Sequence, residues 1–240
     1  MILKIEKTEE FYDWNREDLF SVRIMALLKS YGLKYNFATF YKQVIDDKVV
    51  AIISRLDNDF TISATDDINC DELVRFFCVT GFSSILSSDK FNFGAKYEEG
   101  AIMECRKKHC DPLPLNTAVD EYPKLMDLYN FVDYEGQDFK SWYVDISHRV
   151  RHNTAKAYTL CLGDTIISSG ILSSIIGGDA VLTAVRTDDE FRCMGYGSAL
   201  VKYICSDVKG TVYIMRDKEL NESFYKKLGF ENTGIWRIYR

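Results

Sequence analysis

Apolar residues recur at helical spacing near the start of the chain. Phe11, Leu19, Val22, Met25, Ala26 and Leu28 predict a long amphipathic helix over residues 9–31, ended by Gly32. The period then shortens. FATFYKQVI and KVVAIISRL read as strands joined at Asp46-Asp47, and FTISAT follows as a third. DELVRFFCVTG predicts a helix, FSSILSS a strand, and two further strand-like runs lie near 93–106. Two of the three prolines fall in HCDPLPLNTA, residues 109–118, which neither continues a helix nor suits a central strand. That stretch reads as a linker between residues 1–111 and 112–240.

Beyond the linker the order of elements returns. Helices are expected over 119–132 and 138–152, then strands AKAYTLCL and TIISSGILSSI turning at Gly163-Asp164. A third strand, AVLTAV, precedes a helix through 197–208, a strand TVYIM, a short helix in NESFYKKLGF and a closing strand TGIWRIYR. Helix, three-strand meander, helix, strand and short closing elements thus occur twice, which predicts two copies of one fold. The competing expectation makes residues 1–111 an accessory α/β domain that serves dimerisation, so a homodimer is one expected assembly.

At 240 residues the chain can bury either one large core or two smaller ones. A formal net charge of -6 disfavours nucleic acid as a partner and suits a cationic substrate. The first residues mix charge with apolar side chains and lack a signal-peptide core. No apolar run reaches the ~18 residues of a membrane span, so a cytoplasmic protein with no membrane partner is expected. Seven cysteines, odd in number and scattered, read as reduced thiols. Cys105, His109 and Cys110 lie close together, and His148 and His152 fall one helical turn apart. Neither group has the paired short spacing of a zinc site, so no metal is expected.

The chemistry concentrates in FRCMGYGSAL, residues 191–200. The helix after Gly197 would pack Leu200, Tyr203, Ile204 and Val208 on one face, leaving its amino end with unpaired N–H groups and partial positive charge. Gly195 and Gly197 clear side chains from that end, and Arg192 adds a cation, so the loop suits a phosphate or pyrophosphate. A Walker loop needs Gly-Lys-Ser/Thr where this chain has Gly197-Ser198-Ala199. A dinucleotide loop is closer, with Asp217 near the place of a ribose-binding acid. Its third glycine is Leu200 here, however, and roughly nine residues separate Val185 from Gly195. The preceding hairpins also predict a mixed or antiparallel sheet.

VRTDDEFRCMGYGSALV resembles the cofactor motif of the GNAT superfamily, the acyl-CoA-dependent N-acyltransferases. Arg192, Gly195 and Gly197 match its Arg/Gln-x-x-Gly-x-Gly/Ala pattern, with Val185, Thr187 and Phe191 in register upstream. Asn221, Phe224, Tyr225, Leu228, Gly229 and Phe230 are similar to the family's closing motif. The resemblance covers residues 117–240. It implies an α/β (α+β) fold, a tandem GNAT-like arrangement of mixed, mainly antiparallel sheets flanked by helices. Residues 1–111 would then be a degenerate copy and 112–240 the acyl-CoA-binding catalytic domain.

The resemblance also implies acetyl-CoA as acyl donor and an amine-bearing acceptor that attacks it directly. The pantetheine arm would run along Ala184, Val185 and Thr187, with a backbone N–H near Val185 polarising the thioester carbonyl. The pyrophosphate would meet the amides of Arg192, Cys193, Met194, Gly195, Tyr196, Gly197 and Ser198. Asn221 belongs to the same cofactor set, and Tyr225 is the catalytic residue that assists the departing thiolate. Asp189 and Cys193 depart from the family's frequent proline and glycine, and a side chain at 193 would strain a left-handed loop. No general base is identified among Glu190, Asp188, Asp179, His148 and His152, so a non-catalytic acyl-CoA-binding module is the alternative. The matching stretch of the first half, SATDDINCDEL, has no glycine or arginine and carries Asp66, Asp67, Asp71 and Glu72, which would repel a pyrophosphate.

Overall fold

A computed structural model of the chain describes every residue except 13, 15, 16, 107–110, 135, 137, 218 and 219. His109 and Cys110, weighed above as metal ligands, therefore lie outside the described residues. In chain order come β1 (Ile2–Lys4), α1 (Leu19–Tyr31), β2 (Ala38–Ile45), β3 (Lys48–Leu56), β4 (Asp59–Ala64), α2 (Cys70–Thr80), β5 (Ser84–Ser88) and β6 (Tyr97–Cys105). Then follow β7 (Thr117–Asp120), α3 (Leu125–Val132), α4 (Phe139–Arg151), β8 (Lys156–Leu162), β9 (Thr165–Ile176) and β10 (Asp179–Thr187). The last elements are α5 (Tyr196–Asp207), β11 (Val212–Asp217), α6 (Glu222–Lys227) and β12 (Glu231–Tyr239). Two compact units result. One comprises Met1–Ile102, Met215–Leu220 and Asn232–Arg240, the other Met103–Ile214 and Asn221–Glu231.

In the first unit the strands lie in the order β1-β2-β3-β4-β5-β12. The first three pairings are antiparallel, β4 and β5 are parallel, and β12 returns antiparallel to β5. In the second unit the order β7-β8-β9-β10-β11 gives three antiparallel pairings followed by one parallel pairing. The pairing within each unit is thus mixed and mainly antiparallel, and three antiparallel pairings followed by a parallel one occur in both. The antiparallel neighbour of β10 also rules out the doubly wound sheet that a dinucleotide loop would need.

Local chemistry explains where the elements depart from expectation. The long helix over 9–31 begins only at Leu19. Asp18 is its N-cap, accepting the Ser21 N–H at 2.7 Å, while Phe11 belongs to a separate 3-10 turn and packs its ring on Phe40. The β2–β3 hairpin closes at Asp46 and Asp47, both left-handed, as a two-residue turn matching strand twist requires. The helix expected from 119 starts at Leu125, because Pro123 bars Tyr122 from helical geometry. Residues 117–120 form β7 instead, after a turn in which the Pro114 carbonyl accepts both the Thr117 N–H and its hydroxyl. The two runs near 93–106 merge into the single strand β6.

The first unit's core is aromatic. Phe60, Phe77 and Phe91 are buried with Ile85, and Tyr239 of β12 joins them, fully buried, its hydroxyl donating to the Phe91 carbonyl at 2.6 Å. In the second unit successive residues of β8 face opposite sides. Tyr158 and Leu160 meet Leu200, Val201 and Ile204 of α5, whereas Ala157 meets Leu128, Trp142 and Ile146 of α3 and α4. The six described cysteines are free thiols, and no described helix is long and apolar enough to cross a membrane. Tyr239→Ala is expected to cost the first unit about 3–5 kcal/mol, as deletion of a buried aromatic does, measured by urea unfolding.

Candidate functional site

β10 carries the site's first element. Its register with β9 runs from Thr183↔Ile171 to Arg186↔Ser169, so Ala184 and Val185 together oppose Gly170 alone. This is a β-bulge, and Ala184 adopts φ +53°, a left-handed conformation costing a non-glycine residue about 1–2 kcal/mol. Two fully buried serines hold it from β9. Ser169 Oγ donates to the Ala184 carbonyl at 3.0 Å, and Ser168 Oγ donates to the Arg186 carbonyl at 2.8 Å while lying 3.0 Å from Thr187 Oγ1. On the other side, the pairing of β10 with β11 covers only Ala180–Leu182.

The loop after β10 begins with a 3-10 turn at Asp189–Phe191, capped by Asp188, whose Oδ1 accepts the Glu190 N–H. Arg192 follows, exposed, with Nη2 2.8 Å from Asp189 Oδ1 and Nε donating to the Thr187 carbonyl at 3.3 Å. The expected cation is therefore partly neutralised by the residue standing where the family often has proline. Cys193 is left-handed at φ +62°, the strain expected of a side chain there. Gly195, at φ +87°, caps α5 without a side-chain bond. The first intrahelical bond runs from the Ala199 N–H to the Gly195 carbonyl at 2.9 Å, so the amides of Tyr196, Gly197 and Ser198 have no intrahelical acceptor. The two glycines serve different ends. A Cβ on Gly195 would meet open space, whereas one on Gly197 would lie 2.6 Å from Thr187 Oγ1.

α6 supplies the opposite wall. Asn221 caps it in a left-handed conformation, and Tyr225 lies half-buried on its second turn with its ring edge-on to Phe224 and Phe230. Its hydroxyl has no hydrogen-bond partner among the described residues. Burial pushes the phenol pKa up to about 12, with the Cys205 thiol adding a smaller push in the same direction.

These elements enclose a cavity of about 690 Å³. Of the residues expected to hold a cofactor, Val185, Thr187, Arg192, Cys193, Gly195 and Tyr196 line it, as do Gly197, Ser198 and Asn221. Tyr225 lines it as well. Ala184 does not, because it packs against the buried cluster that includes Leu128 and Trp142; nor does Met194, which is exposed. Ser223 and Lys227 line the cavity without having been anticipated, though they stand four residues apart on α6, one face of a helix. None of the candidate bases lines it. Asp179 Oδ1 accepts the Thr211 N–H at 2.6 Å, Asp188 caps the 3-10 turn, and His148 and His152 meet at the C-terminal end of α4 with ring centroids 4.2 Å apart. Among the described residues no group of three or more metal-binding side chains forms.

Replacing the strained Cys193 by glycine removes a left-handed cost of about 1–2 kcal/mol and adds about 0.5–1 kcal/mol of unfolded-chain entropy. Cys193→Gly is therefore expected to stabilise the protein slightly in urea unfolding, and a loss of stability would contradict the loop geometry.

Known proteins bear on this arrangement. Residues 118–230 match the model of the acetyltransferase (GNAT) family. No curated protein matches the chain. A solved Drosophila protein, a structural genomics target, is similar in fold, with a TM-score of 0.67 at 11% identity over 99% of this chain and 97% of its own. A GCN5-related N-acetyltransferase from Kribbella flavida gives 0.60 at 11% identity, over 92% of this chain and 93% of that one. A tandem GNAT protein from the clavulanic acid biosynthesis pathway gives 0.57 at 10% identity over 100% of this chain and 97% of its own, so the likeness of fold extends over both halves of the chain. With the motifs of α5 and α6 in family order around the cavity, the second half of the chain, over residues 118–230, belongs to the GNAT acetyltransferase family.

Proposed function

We propose that the second unit transfers an acetyl group from acetyl-CoA to a primary amine. The observation that carries this reading is the cavity itself. A bulged strand whose pairing with β11 ends at Leu182 lies beside three amides of α5 without an intrahelical acceptor and a tyrosine hydroxyl with no hydrogen-bond partner among the described residues. In this reading the amides of Tyr196, Gly197 and Ser198 receive the pyrophosphate, helped by Arg192, Cys193, Met194 and Gly195, and the helix end favours its negative charge. Open space at Gly195 fits that role, since a side chain there would enter the cradle. Ala184, Val185 and Thr187 align the pantetheine arm, and Asn221 closes the cavity from α6.

Acyl transfer then needs no enzyme nucleophile. The Val185 N–H polarises the thioester carbonyl, the amine nitrogen forms a bond to the carbonyl carbon, and the carbon–sulfur bond breaks as the carbonyl re-forms. Tyr225 donates a hydrogen bond to the departing sulfur. With its phenol raised to about 12 against a thiol near 8.5, complete proton transfer would be uphill by about 5 kcal/mol. A hydrogen bond that strengthens as charge develops on sulfur is the favourable contribution. The amine's own proton leaves to solvent, since none of the candidate bases Glu190, Asp188, Asp179, His148 and His152 lines the cavity.

The first unit, in the same reading, takes no cofactor. The amino end of its α2 is filled by its own side chains. Asn69 Oδ1 accepts the Glu72 N–H at 3.0 Å, and the fully buried Gln43 donates to the Asn69 carbonyl at 3.0 Å and to Glu72 Oε2 at 2.8 Å. Asp71 and Glu72 already complement that helix end.

A thermal-shift titration with acetyl-CoA tests the cradle. Ligand at 100 times its dissociation constant is expected to add ~2.7 kcal/mol of stability, and Gly195→Glu to abolish the gain. A stoichiometry of two in calorimetry would overturn the account of the first unit. Tyr225→Phe is expected to lower turnover more than about tenfold with acetyl-CoA affinity unchanged. Because the raised phenol stays protonated, the pH profile of the wild type should show no loss of activity from Tyr225 below about pH 10. Acetyl-CoA binding without thiol release across an amine panel would favour a non-catalytic acyl-CoA-binding module.

A further inference from the structure

Between the bulge and the cavity stands one planar group, the peptide linking Ala184 to Val185. In a trans peptide the carbonyl and the N–H point in opposite directions within one plane. Whatever fixes the Ala184 carbonyl therefore fixes the direction of the Val185 N–H. The Ser169 hydroxyl, fully buried on β9, donates to that carbonyl at 3.0 Å. The N–H is thereby turned away from β9, toward the side where pairing with β11 has ended at Leu182. Ser168 repeats the arrangement two peptides on, donating to the Arg186 carbonyl at 2.8 Å.

Ala184 needs this support. At φ +53° an alanine is strained, and such a conformation persists only where its surroundings over-determine it. Ordinary ladder pairing cannot do so, because Ala184 and Val185 share a single partner, Gly170. Nor can the serines be surface residues turned inward by chance, since both are fully buried with their hydroxyls spent on β10.

We infer that Ser169 is a positioning residue for acyl transfer, its hydroxyl orienting the Ala184–Val185 peptide so that the Val185 N–H meets the thioester carbonyl, with Ser168 steadying the Arg186–Thr187 peptide. This rests on the acetyl-CoA reading above.

The test uses acetyl-CoA labelled with ¹³C at the carbonyl and isotope-edited infrared spectroscopy of the full chain, so that no acceptor is required. Wild-type protein should bind acetyl-CoA and lower the carbonyl stretching frequency relative to the free thioester. Ser169→Ala should bind within about threefold of wild-type affinity and lose most of that frequency shift. Ser169→Cys, close in size but a weak donor, should behave likewise and covers the case in which the alanine variant fails to fold. Ser169→Thr, which keeps the hydroxyl, should retain the shift. A full shift in the folded alanine or cysteine variant overturns the role of Ser169, as does bound wild type with no shift. Wild type that fails to bind acetyl-CoA overturns the acyltransferase reading instead, and the titration distinguishes the two.

Discussion

A strand hydrogen-bonded along both edges has no backbone left for a ligand, and β10 escapes that constraint through one inserted residue. Up to Leu182 it is an interior strand, antiparallel to β9 and parallel to β11. Ala184 and Val185 then crowd opposite Gly170, the strand twists, and its register with β11 goes no further. Gly170 lets α5 approach closely, because a Cβ there would lie 2.6 Å from the Ile204 terminal methyl and force that side chain to shift. The bulge, the helix packed beneath it and the orphan amides at that helix's end are in this way one arrangement. Thr187 links them, filling the space a Cβ on Gly197 would need while lying within hydrogen-bond distance of Ser168.

The two units share one pairing scheme and finish the helix that follows it differently. In each, an antiparallel meander ends in a strand that leads to a helix and then to a parallel strand. In the second unit the helix after the meander begins at glycine with no side-chain cap. In the first it begins at Asn69, capped, acidic in its opening turn and tied to a buried glutamine. A helix end that satisfies its own donors adds stability and has little left to offer an anion. The residue types at the start of α2 and α5 thus separate a helix end closed by its own side chains from one left without a side-chain cap, although the backbone layouts correspond.

Much of this was legible in the order of residues. Alternation and helical spacing located the meanders, both central helices and the repeat, and the Arg192–Gly197 and Asn221–Phe230 motifs marked the two walls of the cavity. The failures have local causes that compete with periodicity. Asp18 began a helix ten residues later than the apolar spacing suggested, and Pro123 turned the expected start of another into a strand and turn. The short strands β1 and β7, of 3 and 4 residues, are too brief for a period to register.

What the sequence determined by itself is therefore whatever depends on neighbours along the chain: the periods of strands and helices, the left-handed turns, the bare amino end of α5. Other features depend on partners distant in sequence and arise only when the fold brings those partners together. The bulge exists because two residues of β10 meet one of β9, and no local pattern encodes that count. Ser168 and Ser169 read as ordinary polar positions in a strand until β10 lies beside them with its carbonyls turned toward their hydroxyls. The raised pKa of Tyr225 likewise comes from burial among groups on other elements, and the displacement of every candidate base from the cavity follows from where α4 and β10 were folded. Backbone conformation is a short-range property; hydrogen-bond partners and dielectric surroundings are assigned only when the chain has closed on itself.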